Sequence, residues 1–377
     1  MAVTALLELA DPALCPRLVI KVGSALLVGG DGEPRREWLA ALVAEIAAAR
    51  ARGQDVIVVS SGAIALGARR LALPKGGRAS LADAQAAASV GQIALAGTWA
   101  ELLGVEGLTA AQILLTLDDL EDRRRYLNAT ATLDRLLAAG AVPVINENDS
   151  VATQEIRFGD NDRLAARVGQ AARATGVLLL SDIDGLYDRD PRAPGATLVP
   201  VVHGVTPEVR AMASGASSSG LGSGGMTSKL QAAEIAEHAG IALAIIDGRP
   251  LGPIAHAFER DRGTIVLPRG RKQARKAWLG GRLRLKGVLT VDAGAARALA
   301  KGSSLLAAGV TAVDGRFARG DAVAVHDPAG GLIAHGLSEY DHDECRRLLG
   351  RHSRDHAAIL GYAPRSAMIH RDQLVLL

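Results

Sequence analysis

Short, wholly apolar segments alternate with amphipathic helical patterns through the first two-thirds of the chain, and this alternation narrows the fold more than any other feature. Residues 18–22, 56–59, 142–145, 177–180 and 241–246 are runs of Val, Ile, Leu and Ala, broken only by Lys21 and Pro143. A strand that is apolar on both sides has to be covered on both faces. Helices that cross between parallel strands supply those covers. Between the runs, Trp38, Leu39, Leu42, Val43 and Ile46 fall on one helical face, with Gly53 as a stop. Residues 81–103, 118–139, 164–174 and 229–239 also read as helices, and Gly140 and Gly240 end two of them. The expectation is an α/β fold with a mostly parallel sheet sandwiched by helices.

The pattern changes near residue 262. Pro268, Gly270 and a run of basic residues mark a linker, and short strand-like runs follow at 288–291, 322–326 and 332–335. Asp314-Gly315 and Gly330-Gly331 read as turns, and residues 293–300 as one short helix. A length of 377 residues suits two domains. The expected division is 14–262 for the α/β domain, 263–282 for a basic linker and 283–377 for a small, mainly β domain. With 49% hydrophobic and 22% charged residues the chain has a globular composition, which disfavours disorder. No apolar run approaches the ~18 residues that span a bilayer. Glu8 and Asp11 interrupt any secretory leader. Cys15 and Cys345 are too few and too far apart for a disulfide framework, so a reducing, cytoplasmic setting is expected.

A net charge of +3 is too small to imply nucleic-acid binding by the whole chain. Its distribution is uneven. Arg260, Arg262, Arg269, Arg271, Lys272, Arg275, Lys276, Arg282, Arg284 and Lys286 face only Asp261. Either a solvated linker or a phosphate-contacting surface would have this composition. Lysine itself is scarce, at positions 21, 75, 229, 272, 276, 286 and 301. A lysine inside a glycine-rich segment therefore suggests a need for its compact ammonium.

Ligands of open parallel sheets sit beyond the carboxyl ends of the strands. Four polar segments fall there. Lys21-Val22-Gly23-Ser24 offers close backbone approach and a point charge, or is a simple turn. Ser60-Ser61-Gly62-Ala63 opens a helix and suits an anion, or merely caps it. Asn146-Glu147-Asn148-Asp149 and, a dozen residues on, Gly159-Asp160-Asn161-Asp162 crowd acids and amides that a substrate ammonium or Mg2+ would offset. Turn chemistry explains one such cluster better than two. The Gly-rich run from Gly220 through Gly225-Met226-Thr227-Ser228-Lys229 precedes a helix. It fits phosphate better than a flexible linker, although it lacks the Gly-x-x-x-x-Gly-Lys-Ser/Thr spacing. Ser181-Asp182 and Asp184-Gly185-Leu186-Tyr187 form a lesser candidate at a nucleotide edge. No nucleophile–base arrangement and no zinc-spaced cluster stands out.

Taken in order, these segments resemble the amino-acid kinase family, in the pattern of its members that phosphorylate free L-glutamate. Asp122-Arg123-Arg124-Arg125-Tyr126-Leu127-Asn128 fits the same pattern. Thr290-Val291-Asp292-Ala293-Gly294-Ala295 and Gly302-Ser303-Ser304-Leu305-Leu306 resemble a PUA domain, which many members carry C-terminally. Val22-Gly23-Ser24-Ala25 and Thr227-Ser228 depart slightly from the usual pattern but keep its polarity and size.

The resemblance implies transfer of the γ-phosphoryl group of ATP to the side-chain carboxylate of L-glutamate, giving L-glutamyl 5-phosphate in the first step of proline biosynthesis, with Mg2+. It implies catalytic roles for Lys21, Lys229 and Asp162, and glutamate contacts from Ser61, Gly62, Asp149 and Asn161. The ATP contacts would be Lys21, Gly23, Ser181, Asp182, Ser223, Gly224, Gly225, Met226, Thr227, Ser228 and Lys229. It further implies feedback inhibition by proline and a homo-oligomer; the lability of an acyl phosphate suggests handover to a glutamyl-phosphate reductase, and RNA as an additional ligand of the C-terminal domain stays open. The resemblance assigns no metal ligands. Two rivals stay open: a kinase for another small anion (N-acetylglutamate, aspartate, carbamate or a nucleoside monophosphate), and an RNA-binding or RNA-modifying protein.

Overall fold

The computed structural model describes residues 2–151, 160–214, 225–269, 285–362 and 364–376. The chain forms two compact units, Met1–Leu120 with Ala129–Arg271, and Glu121–Asn128 with Lys272–Leu377.

The first unit is built on an eight-stranded sheet of order β3-β4-β2-β1-β5-β7-β8-β6. Its strands are β1 (Arg17–Val22), β2 (Asp55–Ser60), β3 (Ala110–Leu115), β4 (Val142–Glu147), β5 (Gly176–Ser181), β6 (Val201–His203), β7 (Ala242–Asp247) and β8 (Thr264–Leu267). From β3 across to β7 every pairing is parallel, so the carboxyl ends of six strands share one edge. The apolar runs of the sequence are these central strands, buried on both faces as that pattern requires. Leu18, Ile20, Val22, Val56, Val58, Leu178 and Leu180 join Trp38, Leu42, Ile46 and Trp99 in one core. The helix Arg36–Ala51 covers one face, and the Trp38 indole donates to the carbonyls of Gly248 and Pro250, both at 2.9 Å.

Two helices, Ala63–Arg70 and Leu81–Val105, cross with almost no separation. A Cβ at Gly67 would lie 1.7 Å from the Ala87 carbonyl oxygen, and one at Gly91 1.7 Å from that of Ala63. The crossing therefore needs glycine on both sides. Ala63 directly follows the Ser60–Gly62 turn, so this crossing also holds the end of β2.

Several elements differ from the sequence expectation. The helix read over 118–139 is two, Leu117–Glu121 and Arg123–Ala138. Asp122 lies between them and accepts from the Arg125 N–H at 2.9 Å, which starts the second helix afresh. The sheet extends past residue 262, because β8 lies inside the stretch read as linker and pairs antiparallel with β7. Leu6 and Leu9, ahead of the expected boundary at 14, belong to the core of this unit. Most of the basic linker, including Arg271, Lys272, Arg275, Lys276 and Arg282, lies outside the described residues, as does Arg284 just beyond it.

The second unit holds a five-stranded sheet, order β11-β9-β12-β13-β15, and the pair β10-β14. Its strands are β9 (Gly287–Val291), β10 (Leu305–Leu306), β11 (Val310–Gly315), β12 (Ala322–His326), β13 (Leu332–Leu337), β14 (Ala367–Ile369) and β15 (Leu374–Leu376). The expected helix is present as Ala293–Ala300, and two more, His342–Leu348 and His356–Leu360, join it. Leu289, Val291, Val323, Val325, Tyr340, Cys345 and Met368 form its own core. Burial pushes the Cys345 thiol up to about 12, so at neutral pH it is an inert apolar filler. Among the described residues no helix is long and apolar enough to cross a membrane.

Replacing Gly91 with Ala should lower the stability of the first unit by about 2–3 kcal/mol, because the methyl group meets backbone rather than a movable side chain. The urea midpoint of the full chain reads this. An unchanged midpoint would mean that the helices separate freely.

Candidate active site

The carboxyl ends of the parallel strands bring together most of the polar residues singled out in the sequence. Lys21 is the next-to-last residue of β1 and pairs in register with Val59 of β2 and Leu179 of β5, at the centre of the sheet. Lys229 comes from the first turn of the helix Met226–Ala239, and Asp162 from the first turn of the helix Asp160–Ala171. The Lys21 Nζ lies 2.6 Å from Asp162 Oδ1, and the Lys229 Nζ lies 3.0 Å from Asp162 Oδ2. One carboxylate thus holds two ammonium groups, one on each oxygen. All three residues are buried; Asp162 is 1% exposed.

This triad carries a net positive charge away from water. Burial lowers the pKa of Lys21, the Asp162 carboxylate opposes the shift, and the Lys229 charge adds to it. For Asp162, burial works to raise the pKa, but Lys21 and Lys229 together outweigh it and hold the carboxyl below its ordinary value. An unpaired charge of this kind is costly until an anion joins it. A Cβ at Gly23 would sit 3.6 Å from the Lys21 Nζ, so the absent side chain leaves space beside that ammonium.

On one side of the triad, β5 ends in Ser181, whose hydroxyl lies 3.2 Å from Asp182 Oδ1. The Asp182 charge reaches Lys21 and Arg249, and Arg249 is bound to Asp247 at the end of β7 at 2.8 Å. Gly225, Met226, Thr227 and Ser228 lead into Lys229, with Ser228 buried. Ser223 and Gly224 lie outside the described residues, as does Gly159.

On the other side, Asn161 Nδ2 donates to Ser61 Oγ at 2.6 Å and to the Ser60 carbonyl at 3.3 Å. Gly62 holds φ at +104°, a conformation suited to glycine, as the chain turns from β2 into the helix Ala63–Arg70. Asp149 is buried, and its charge reaches Arg78, whose guanidinium is otherwise disfavoured by burial.

Three residues here escaped the sequence reading as individual contributors. Asn146 Nδ2 donates to Gln92 Oε1 at 2.7 Å, and Asn146 Oδ1 accepts from the Glu147 N–H at 2.9 Å. The Trp99 indole donates to the buried Ser60 hydroxyl at 3.0 Å. Gln92 and Trp99 stand two turns apart on one face of the helix Leu81–Val105. The available signal was a lone amide in the apolar run Ala-Ser-Val-Gly-Gln-Ile-Ala-Leu.

Two lysines on one buried acid, at the carboxyl edge of a parallel sheet, accord with the family match, which covers residues 16–247 and is described as the amino acid kinase family. The chain belongs to the amino acid kinase family. A PUA domain matches residues 287–360. Among relatives of this amino acid kinase, a protein of Novosphingobium aromaticivorans named glutamate 5-kinase is 78% identical over 100% of both chains. One of Sphingopyxis alaskensis with the same name is 60% identical over 98% of this chain and 100% of its own. A third, of Zymomonas mobilis, is 56% identical over 97% and 92%.

Replacing Asp162 with Asn leaves two buried ammonium groups without their carboxylate and should cost about 3–5 kcal/mol at neutral pH. The folded pKa lies below the ordinary 3.8, so the contribution of the carboxylate is complete above that value and is lost as the pH falls through the folded one. Urea midpoints of the two proteins should therefore converge in strong acid. A gap that stays constant down to about pH 2 would contradict the assignment.

Proposed function

We propose that this chain is a cytoplasmic kinase that transfers the γ-phosphoryl group of ATP to the side-chain carboxylate of L-glutamate, giving L-glutamyl 5-phosphate, the first step of proline biosynthesis. The buried Lys21–Asp162–Lys229 triad is the observation that carries this reading. The glutamate acceptor follows from the likeness to relatives named glutamate 5-kinase.

An acceptor carboxylate with an ordinary pKa of about 4.3 is ionised at neutral pH, so no general base is required. The obstacle is bringing one anion onto another. Lys21 and Lys229 would flank the transferred group and offset its charge, and Asp162 would hold both ammoniums in place without taking a proton. Ser181, Asp182, Gly23 and the Ser223–Lys229 stretch would contact ATP, while Ser61, Gly62, Asp149 and Asn161 would bind the acceptor.

Among the described residues no group of three acids, histidines or cysteines could hold a metal ion. A Mg2+ ion would be carried chiefly by the nucleotide phosphates, and Asp182, whose charge reaches Lys21, is a carboxylate that could meet it. The ion would neutralise charge on the phosphates. The PUA match supports RNA as a ligand of the second unit, apart from the kinase reaction.

The purified protein with Mg-ATP should release ADP with L-glutamate and yield a hydroxamate when hydroxylamine traps the acyl phosphate. N-acetyl-L-glutamate, L-aspartate and UMP should serve poorly. Turnover only with one of these would move the substrate assignment. Lys229→Ala should lower kcat by at least about 100-fold in a folded protein, as removal of a charge-stabilising donor does. Near-normal turnover would remove the lysine from the mechanism.

A further inference from the structure

The amide side chains beside the acceptor end of the site form a directional chain whose first member has no part in the contacts proposed so far. We propose that Gln92 is a positioning residue that keeps the Asn161 amide oxygen open for the ammonium group of the acceptor amino acid. This deepens the glutamate-kinase reading and rests on it.

Amide orientation is set by whichever neighbours have a fixed sense. Two backbone groups fix it here. The Glu147 N–H can only donate, so Asn146 presents Oδ1 to it at 2.9 Å. The Ser60 carbonyl can only accept, so Asn161 presents Nδ2 to it at 3.3 Å. The Asn146 Nδ2 is thereby turned towards Gln92 Oε1, which accepts it at 2.7 Å. Asn146 Oδ1 and Asn161 Nδ2 lie 3.4 Å apart, so the two amides are neighbours. The Asn161 Nδ2 is fully engaged, with Ser61 Oγ at 2.6 Å as its shortest partner. Its Oδ1 is buried and has no hydrogen-bond partner among the described residues.

A buried carbonyl oxygen without a donor is unfavourable, and a charged donor offsets that best. In a pocket that takes an amino acid, the α-ammonium is that donor. Gln92 and the Glu147 N–H hold the two ends of the Asn146 amide, so Asn146 Oδ1 faces Asn161 Nδ2 and helps keep the Asn161 amide turned with its Oδ1 open. Without Gln92 the Asn146 Nδ2 loses its acceptor, the Asn146 amide is held at one end only, and Asn161 Oδ1 is no longer kept in place for the substrate. Gln92 would then govern acceptor affinity and the preference for a free amino group, with no contact to ATP or to the reacting atoms.

The test compares wild type, Gln92→Met and Gln92→Glu in steady-state kinetics with Mg-ATP, using L-glutamate and glutarate, which lacks the amino group. Gln92→Met fills similar space but accepts no hydrogen bond from an amide; Gln92→Glu still accepts one. KM for L-glutamate should rise tenfold to a hundredfold in Gln92→Met, roughly the effect of losing one hydrogen bond to a charged group. Its KM for ATP and its kcat should stay within threefold of wild type, and its preference for glutamate over glutarate should collapse. Gln92→Glu should restore both the KM and the preference. If Gln92→Met does not fold, Gln92→Asn withdraws the acceptor by one methylene and should show the same pattern. A glutamate KM within twofold of wild type, parallel losses for ATP and glutamate, or no rescue by Gln92→Glu would each overturn the proposal. Absence of wild-type turnover with glutamate would overturn the function reading and this one together. Normal wild-type turnover with an indifferent Gln92 would overturn only this one.

Discussion

Two ammonium groups share one buried carboxylate, and the rest of the first unit is arranged around that contact. Each lysine comes from a different part of the chain, Lys21 from the central strand and Lys229 from a helix more than two hundred residues later. Burial disfavours the Lys21 ammonium, and the Asp162 carboxylate opposes that. Asp162 holds one ammonium on each of its oxygens and so fixes their separation. The surplus positive charge is what makes the site receptive to an anion. For a reaction between two anions, a fixed, dry pair of cations supplies what a general base cannot.

The support for this site lies in the fold beneath it. Parallel strands place their carboxyl ends on one edge, so residues distant in sequence meet there without long loops. The Gly67–Gly91 crossing brings the helix Leu81–Val105 against the start of the helix Ala63–Arg70, and the same long helix sends Gln92 to β4 and Trp99 to β2. Packing at the crossing and the polar order around Ser60, Asn146 and Asn161 are thus carried by one element. That explains why a helix so apolar in composition keeps one amide and one indole in hydrogen bonds.

Much of this was legible in the residues. Apolar runs on both sides of Lys21 announced a buried parallel sheet, and the rarity of lysine drew attention to Lys21 and Lys229 before any contact was known. The polar segments after β1, β2 and β4 converge because the sheet is parallel, which local pattern does predict. What stayed hidden depends on distant neighbours. Gln92 sits in an Ala-rich helix whose pattern reads as plain core, and its meaning comes only from Asn146, fifty-four residues on. β8 was hidden because four residues of strand follow directly on a basic stretch, and it pairs antiparallel at the far side of the sheet. The break at Asp122 turns on a single capping contact, which composition does not distinguish from a helical aspartate.

The central claim is that Lys21 and Lys229 act as a pair on the group being transferred. A crystal structure of the full chain with ADP, aluminium fluoride and L-glutamate would test it most directly, because the fluoride complex occupies the place of that group. Both Nζ atoms should lie within about 3.2 Å of fluoride ligands, on different sides, with Asp162 still holding each. A complex in which either ammonium stays bound to Asp162 alone, with the fluoride out of its reach, would contradict the account.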